Sequence, residues 1–203
     1  SNTTGHDNTA NGSNALYSNT TGANNTANGR AALNSNTTGS NNTGNGRSAL
    51  YFNTTGVWNT ANGSQALYNN STGSNNTANG FQALYRNSTG VYNTANGVKA
   101  LYVNTVGNYN TAVGYRAYLT GSYTNSTALG YNTIITASNQ VRLGDTPVTS
   151  IGGTANWTNV SDGRFKTNVK EDIVGIDAMT NEKVKIQKER PINLLKTWKS
   201  MIF

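Results

Sequence analysis

Very few residues of this chain are suited to acid–base or nucleophilic chemistry. The 203 residues include one histidine, His6, and no cysteine, which excludes Ser-His triads, thiolate sites and ordinary histidine-based metal sites. Glycoside hydrolysis needs two carboxylates about 5 to 10 Å apart, and residues 1–141 offer only Asp7. Glu171 and Asp172 are adjacent, but they belong to a charged tail in which solvated side chains are expected. The sequence therefore predicts a non-enzymatic protein without metal or cofactor.

Aromatic residues at one variable position of a repeated pattern are better candidates for binding. Trp58, Tyr92 and Tyr109 occupy a position where other copies of the pattern carry Asp or Asn. The position is predicted to lie on a turn, beside Val57 and Val91. Aromatic side chains on a turn can stack on sugars or on partner surfaces, although shielding of the fold's edge is the structural alternative. These three aromatic residues form the predicted binding site.

Two series of glycines, each with a step of 17 residues, organise these positions. They are Gly5, Gly22, Gly39, Gly56, Gly73, Gly90 and Gly107, and Gly12, Gly29, Gly46, Gly63, Gly80, Gly97 and Gly114. A fixed period of this length is typical of stacked repeat architectures. Two glycines per copy, with several Asn and Thr, exclude a helical unit. Two short extended segments per copy, Asn-Thr-Ala-Asn and Ala-Leu-Tyr-x-Asn, predict instead one coil of an all-β, parallel β-solenoid.

Stacked coils place equivalent residues above one another at about 4.8 Å. The leucines that recur from Leu16 to Leu101 are predicted to form a buried apolar column, and the asparagines that recur from Asn8 to Asn110 an amide ladder along the axis. One Leu and two Ala per coil bury little surface against the entropy of ordering the chain. The Ala15-Leu16 pair would also face both sides of one strand. We therefore expect a homotrimer, with a monomeric solenoid as the alternative.

The net charge of +7 is spread unevenly along the chain. Residues 1–141 carry five basic groups against Asp7, namely Arg30, Arg47, Arg86, Lys99 and Arg116. Residues 161–203 carry nine basic and six acidic groups. The linear sequence shows no stripe of Lys and Arg interleaved with aromatics, so no nucleic-acid partner is predicted. No apolar run approaches the length of a membrane span.

The last copies of the pattern resemble a known family. Asn110-Thr111-Ala112-Val113-Gly114 and Asn125-Ser126-Thr127-Ala128-Leu129-Gly130 resemble the head motif of trimeric autotransporter adhesins. The resemblance covers about residues 1–135 and implies a left-handed parallel β-roll that forms a trimer. In earlier copies an Asn, such as Asn62 or Asn79, replaces the motif's aliphatic residue, which favours a polar interface. The implied function is that of a bacterial surface fibre or phage tail fibre that attaches to a host-cell surface or glycan receptor.

A second resemblance begins after the repeats. Residues 139–153 break the period and alternate apolar with polar residues, and residues 136–160 are predicted to form a β neck and linker. The following segment, Ser161-Asp162-Gly163-Arg164-Phe165-Lys166, resembles the start of the endosialidase-type intramolecular chaperone of phage tail spikes. The resemblance implies that Ser161 and Lys166 act in self-cleavage, so an autoprocessing peptidase module is a lower-ranked alternative function. We interpret residues 161–203 as a truncated, irregular or partly helical form of this module that leaves the chain intact.

The other non-enzymatic alternative is ice binding, for which flat Thr arrays on a regular solenoid are used, or a passive structural role of the solenoid. The equivalent threonines are Thr9, Thr26, Thr43, Thr60, Thr77, Thr94 and Thr111. The sequence as a whole favours an extracellular, trimeric shaft or head.

Overall fold

The computed structural model describes residues 2–118 and 121–151. These residues form nine three-residue strands in one parallel sheet, and each strand pairs with the next along the chain. The strands are β1 (Thr9–Asn11), β2 (Thr26–Asn28), β3 (Thr43–Asn45), β4 (Thr60–Asn62), β5 (Thr77–Asn79), β6 (Thr94–Asn96), β7 (Thr111–Val113), β8 (Thr127–Leu129) and β9 (Val141–Leu143). The parallel β-solenoid is confirmed, and no helix is present within the described ranges.

The strand register follows the 17-residue period. Thr43 pairs with Thr60 and Asn45 with Asn62, so equivalent residues stand directly above one another from β1 to β7. The step shortens afterwards, because Thr111 pairs with Thr127 and Thr127 with Val141. Strand β9 lies in the predicted neck and extends the same sheet. The rest of that segment from residue 152, and the whole predicted chaperone-like segment, lie outside the described residues.

Each coil contains one strand instead of the two extended segments that the sequence suggested. The Ala-Leu-Tyr segment is a turn, in which Leu50 adopts a φ of 53°. An extended strand would place Ala49 and Leu50 on opposite faces, whereas both side chains here are fully buried within the coil. A left-handed conformation costs an L-residue about 1 to 2 kcal/mol, which burial of the Leu side chain offsets at about 1.5 to 3 kcal/mol. The Ala-Leu pair therefore gives no argument for a partner on a second face.

The apolar core is a narrow double column of Leu and Ala. Leu33, Leu50, Leu67, Leu84 and Leu101 have no exposed surface, which confirms the predicted leucine column. Tyr118 and Ile135 continue the apolar core at its C-terminal end and are equally buried. The strand alanines, such as Ala61 and Ala78, point inward, so Thr and Asn on either side of them face outward.

Two asparagine columns complete the interior, of which the sequence predicted one. Asn59 lies in the predicted ladder and is fully buried; its backbone N–H donates to Asn42 Oδ1 at 2.9 Å. Its Nδ2 donates to the carbonyl of Gly73 at 2.8 Å. Asn70 belongs to the second column, and its Nδ2 donates both to Asn53 Oδ1 and to Gly73 O at 2.8 Å. The glycine carbonyls are thus bonded from two sides by side-chain amides.

Candidate functional site

The three aromatic residues predicted to bind a partner lie on one outer line of the solenoid. Trp58, Tyr92 and Tyr109 are 61%, 52% and 58% exposed. Each backbone N–H donates to a carbonyl of the preceding coil, as Tyr109 N does to Val91 O at 3.0 Å. The turn is therefore fixed by the coil stack while the side chains remain accessible.

Two of these side chains are in contact and the third is separate. The rings of Tyr92 and Tyr109 stack with centroids 5.2 Å apart and planes 3° apart. Trp58 lies two coils earlier on the same line, because Asn75 occupies the coil between Trp58 and Tyr92. Two coil spacings amount to about 10 Å. The line thus presents an isolated indole and a tyrosine pair.

The backbone at this line is left-handed and therefore costly for large residues. Trp58, Tyr92 and Tyr109 have φ values of 60°, 56° and 57°, as does the equivalent Asn75 at 58°. Asn tolerates this conformation, whereas a bulky residue there is an outlier that costs about 1 to 2 kcal/mol. Burial offsets that cost at Leu50, but Trp58 remains mostly exposed. The fold imposes a left-handed φ at this position of every coil, as at Asp7 with 55°, so an exposed aromatic residue there gains no compensation from burial of its own side chain.

A second aromatic line was missed in the sequence. Tyr51, Tyr68, Tyr85 and Tyr102 stack along the axis with neighbouring centroids 5.1 to 5.2 Å apart, and all four are half-buried. The signal was the Tyr that follows Ala-Leu in these copies, which becomes a continuous ladder once the coils stack in register. Each inner ring covers the faces of its neighbours, so edges rather than faces meet the solvent.

Basic side chains surround this tyrosine ladder. The Arg86 guanidinium carbon lies 5.5 Å and the Lys99 Nζ 5.7 Å from the centre of the Tyr102 ring. Burial, then the neighbouring Tyr85 and Tyr51, raise the pKa of Tyr68, while the positive charge of Arg47 opposes the rise. The linear sequence does not reveal this cluster of basic and aromatic side chains. Its members belong to different coils and become neighbours only when the coils stack.

The residues suited to catalysis do not assemble a site in the described part of the chain. His6 Nδ1 and Asp7 Oδ2 are 2.8 Å apart, on an exposed turn. A cleft of about 470 Å³ at the C-terminal end is lined by Ile134, Thr136, Arg142, Asp145 and their neighbours. Among the described residues no three His, Cys, Asp or Glu side chains cluster for a metal ion. Ser161, Lys166, Glu171 and Asp172 lie outside the described residues.

No family model, curated protein or solved structure matches the chain. Within residues 2–118 and 121–151, no helix is long and apolar enough to cross a membrane.

Proposed function

We propose that this chain is a structural segment of a homotrimeric extracellular fibre, in which the solenoid presents side chains for attachment to a cell surface or glycan. The observation that carries the proposal is the line of Trp58, Tyr92 and Tyr109. These exposed aromatics occupy left-handed positions at which Asn would be the more stable choice. A regular shaft that holds aromatic rings outward is suited to stacking on sugar rings or a receptor surface.

The outward face of the sheet supports self-association near its C-terminal end. The column that carries Asn in β2 to β6 changes to Val113, Leu129 and Leu143 in the last three strands. Val113 and Leu129 are 40% and 36% exposed, and Val141 on β9 is 73% exposed. Apolar side chains clustered on one sheet face favour burial against another chain. In the proposed left-handed trimer these strands meet near the axis, while the asparagine columns form a polar interface above them.

The oligomeric state is tested by light scattering on the full 203-residue chain. We expect a mass three times 21.5 kDa, and a well-folded monomer at micromolar concentration would contradict the trimer. Replacing both Val113 and Leu129 by Asn, the residue of the earlier coils, is expected to shift the mass toward the monomer. Val98→Asn combined with Val106→Asn is the control and should leave the mass unchanged, because these side chains are 39% and 55% exposed and lie outside the strands.

Attachment is tested with a glycan array and a cell-binding assay. We expect Trp58→Ala combined with Tyr92→Ala to reduce binding at least tenfold, which corresponds to about 1.4 kcal/mol. Val106→Ala is the control, because this apolar side chain is 55% exposed and belongs neither to the aromatic line nor to the tyrosine ladder. Unchanged attachment by the first double variant would show that the aromatic line is structural.

Ice binding is the second candidate, and one observation favours it. The threonines from Thr9 to Thr111 form an in-register column on the outward sheet face, beside the asparagine column. A thermal-hysteresis measurement distinguishes the two functions. Thermal hysteresis that is present in the parent chain and lost in a Thr60→Lys, Thr77→Lys double variant would establish ice binding. No thermal hysteresis in the parent chain would remove this candidate.

A further inference from the structure

One corner of the solenoid collects every basic side chain of residues 2–118. The corner is formed by the turn segments that run from the second glycine of each copy to the Asn of the buried column, and it also carries the tyrosine ladder. We call it the basic tyrosine face. Its members are Arg30, Arg47, Arg86, Lys99, Arg116, Tyr51, Tyr68, Tyr85 and Tyr102.

Within residues 2–118 the positive charge of this face has no acidic counterpart. Asp7 is the only acid of residues 2–118, and it lies on a different turn, 2.8 Å from His6 Nδ1. Arg30, Arg47 and Arg86 are exposed, and Lys99 and Arg116 are half-buried. Within the described residues none of the five forms an ion pair with a carboxylate. A row of unpaired cations favours an anionic ligand and raises its local concentration.

The arrangement is linear, so the ligand that fits it is also linear. Arg30 and Arg116 lie five coils apart, and at about 4.8 Å per coil the charges extend over roughly 24 Å parallel to the axis. The tyrosine ladder runs along the same line through four successive coils. An extended polymer with repeating negative charges can contact the whole row, whereas a small anion can contact one or two members.

The tyrosine ladder distinguishes between classes of polyanion. Single-stranded nucleic acids bind through bases that stack on exposed aromatic faces, but here the inner rings Tyr68 and Tyr85 are covered on both faces by neighbouring rings. Phenolic hydroxyls both donate and accept hydrogen bonds, which matches the hydroxyl groups of a sugar chain. We propose that the basic tyrosine face binds a linear acidic polysaccharide laid along the solenoid axis. This surface is distinct from the line of Trp58, and it requires no trimer.

The test is a binding titration of the full chain with polygalacturonate and with heparin, which carry carboxylate and sulfate groups respectively. We expect affinity for at least one polymer that falls steeply with salt, because binding releases counterions from the polymer. Exposed charge pairs contribute about two- to fivefold each. The triple variant Arg47→Gln, Arg86→Gln, Lys99→Gln should therefore bind roughly 10- to 100-fold more weakly, with a shallower salt dependence.

Matched controls separate this site from a general effect of net charge. Arg142→Gln removes one charge from β9, away from the face, and is compared with Arg86→Gln alone. The proposal requires a loss of affinity for Arg86→Gln and none for Arg142→Gln, with circular dichroism and mass unchanged. Equal losses, an unaffected triple variant, or no binding to either polymer would overturn it. Tighter binding of a 20-residue oligothymidylate or of phosphatidylserine vesicles than of both polysaccharides would overturn it as well.

Discussion

Replacing one buried side-chain amide by a carboxyl group tests whether the inner asparagine columns hold the coils together. Asn70 is fully buried; its Nδ2 donates to Asn53 Oδ1 and to Gly73 O at 2.8 Å, and its Oδ1 accepts from Asn87 Nδ2 at 2.7 Å. Asn70→Asp preserves the shape but removes the donor. One carboxylate oxygen still accepts from Asn87, whereas the other faces two oxygens at hydrogen-bond distance.

The cost of this substitution depends on pH. The surrounding oxygens and the burial should raise the pKa of the new carboxyl far above the unfolded value of about 3.9. Holding the carboxyl protonated at pH 7 costs about 1.4 kcal/mol for each of roughly three pH units, or about 4 kcal/mol. The protonated acid can donate to Asn53 Oδ1, but it no longer donates to Gly73 O. Because Gly73 O keeps its bond from Asn59 Nδ2, the loss of this second bond adds only about 1 kcal/mol to the cost of the substitution.

The direction in which the stability of this variant changes with pH follows from linkage. A group whose folded pKa is raised gives a chain that is most stable below the unfolded pKa and loses stability as the pH rises toward the folded pKa. Urea unfolding followed by circular dichroism should therefore show Asn70→Asp less stable than the parent by about 5 kcal/mol at pH 7 and by about 1 kcal/mol at pH 3.5.

The control is the same change at an exposed asparagine outside the sheet. Asn75 is exposed, and Asp7 occupies the equivalent position of the first coil. A carboxylate there stays hydrated, so Asn75→Asp should cost no more than about 1 kcal/mol, with little change between pH 5 and 7. Equal losses for the two variants, or a loss at Asn70 that does not depend on pH, would refute the reasoning about the buried ladder.

Two further predictions concern the backbone. Trp58→Asn should stabilise the chain by about 1 kcal/mol in urea unfolding, because Asn tolerates the left-handed φ, while attachment weakens; a loss of stability would contradict the strain argument. Gly63→Ala should destabilise the chain by about 3 kcal/mol or more, because φ is +136° and a Cβ would lie 2.6 Å from Gly80 O. Gly44→Ala is the counterpart, because a Cβ there would lie 3.3 Å from Ala49 O and 3.5 Å from Leu33 Cγ. The neighbouring coils carry Ala at this position and accommodate its Cβ, so a gain of about 0.5 to 1 kcal/mol is expected; thermal unfolding of both variants measures the contrast.

The features that the sequence predicted are those that depend on the period alone. Once a 17-residue step is fixed, Leu50 must stand above Leu67 and Asn42 above Asn59, whatever path the chain takes between them. The path itself depends on backbone conformation. Left-handed φ values at Leu50 and Trp58 contradict the usual preferences of these residues, so an extended Ala-Leu-Tyr segment was predicted where the structure has a turn.

The basic tyrosine face was missed for a related reason. Arg86 and Tyr102 are 16 residues apart in sequence, and Arg47 and Tyr68 are 21 apart, yet each pair lies in neighbouring coils. A search for basic residues next to aromatics along the chain cannot find them. A search at separations near 17 residues finds both, because side chains on a solenoid have their nearest neighbours one period away.

The inner asparagines explain why the interior of this solenoid is filled with so few apolar side chains. The turn carbonyl of Gly73 accepts from Asn59 and Asn70, and a Leu at both positions would bury that oxygen without a partner, at about 1 to 3 kcal/mol per coil. Amide side chains therefore fill the interior and satisfy the turns at once. Because Leu, Ala and these two asparagines fill the interior of most coils, variation is concentrated at the outward positions, where Trp58, Arg86 and Val113 differ from the corresponding residues of other coils. The proposed attachment, polyanion binding and self-association would consequently depend on different outward columns of one unchanged scaffold.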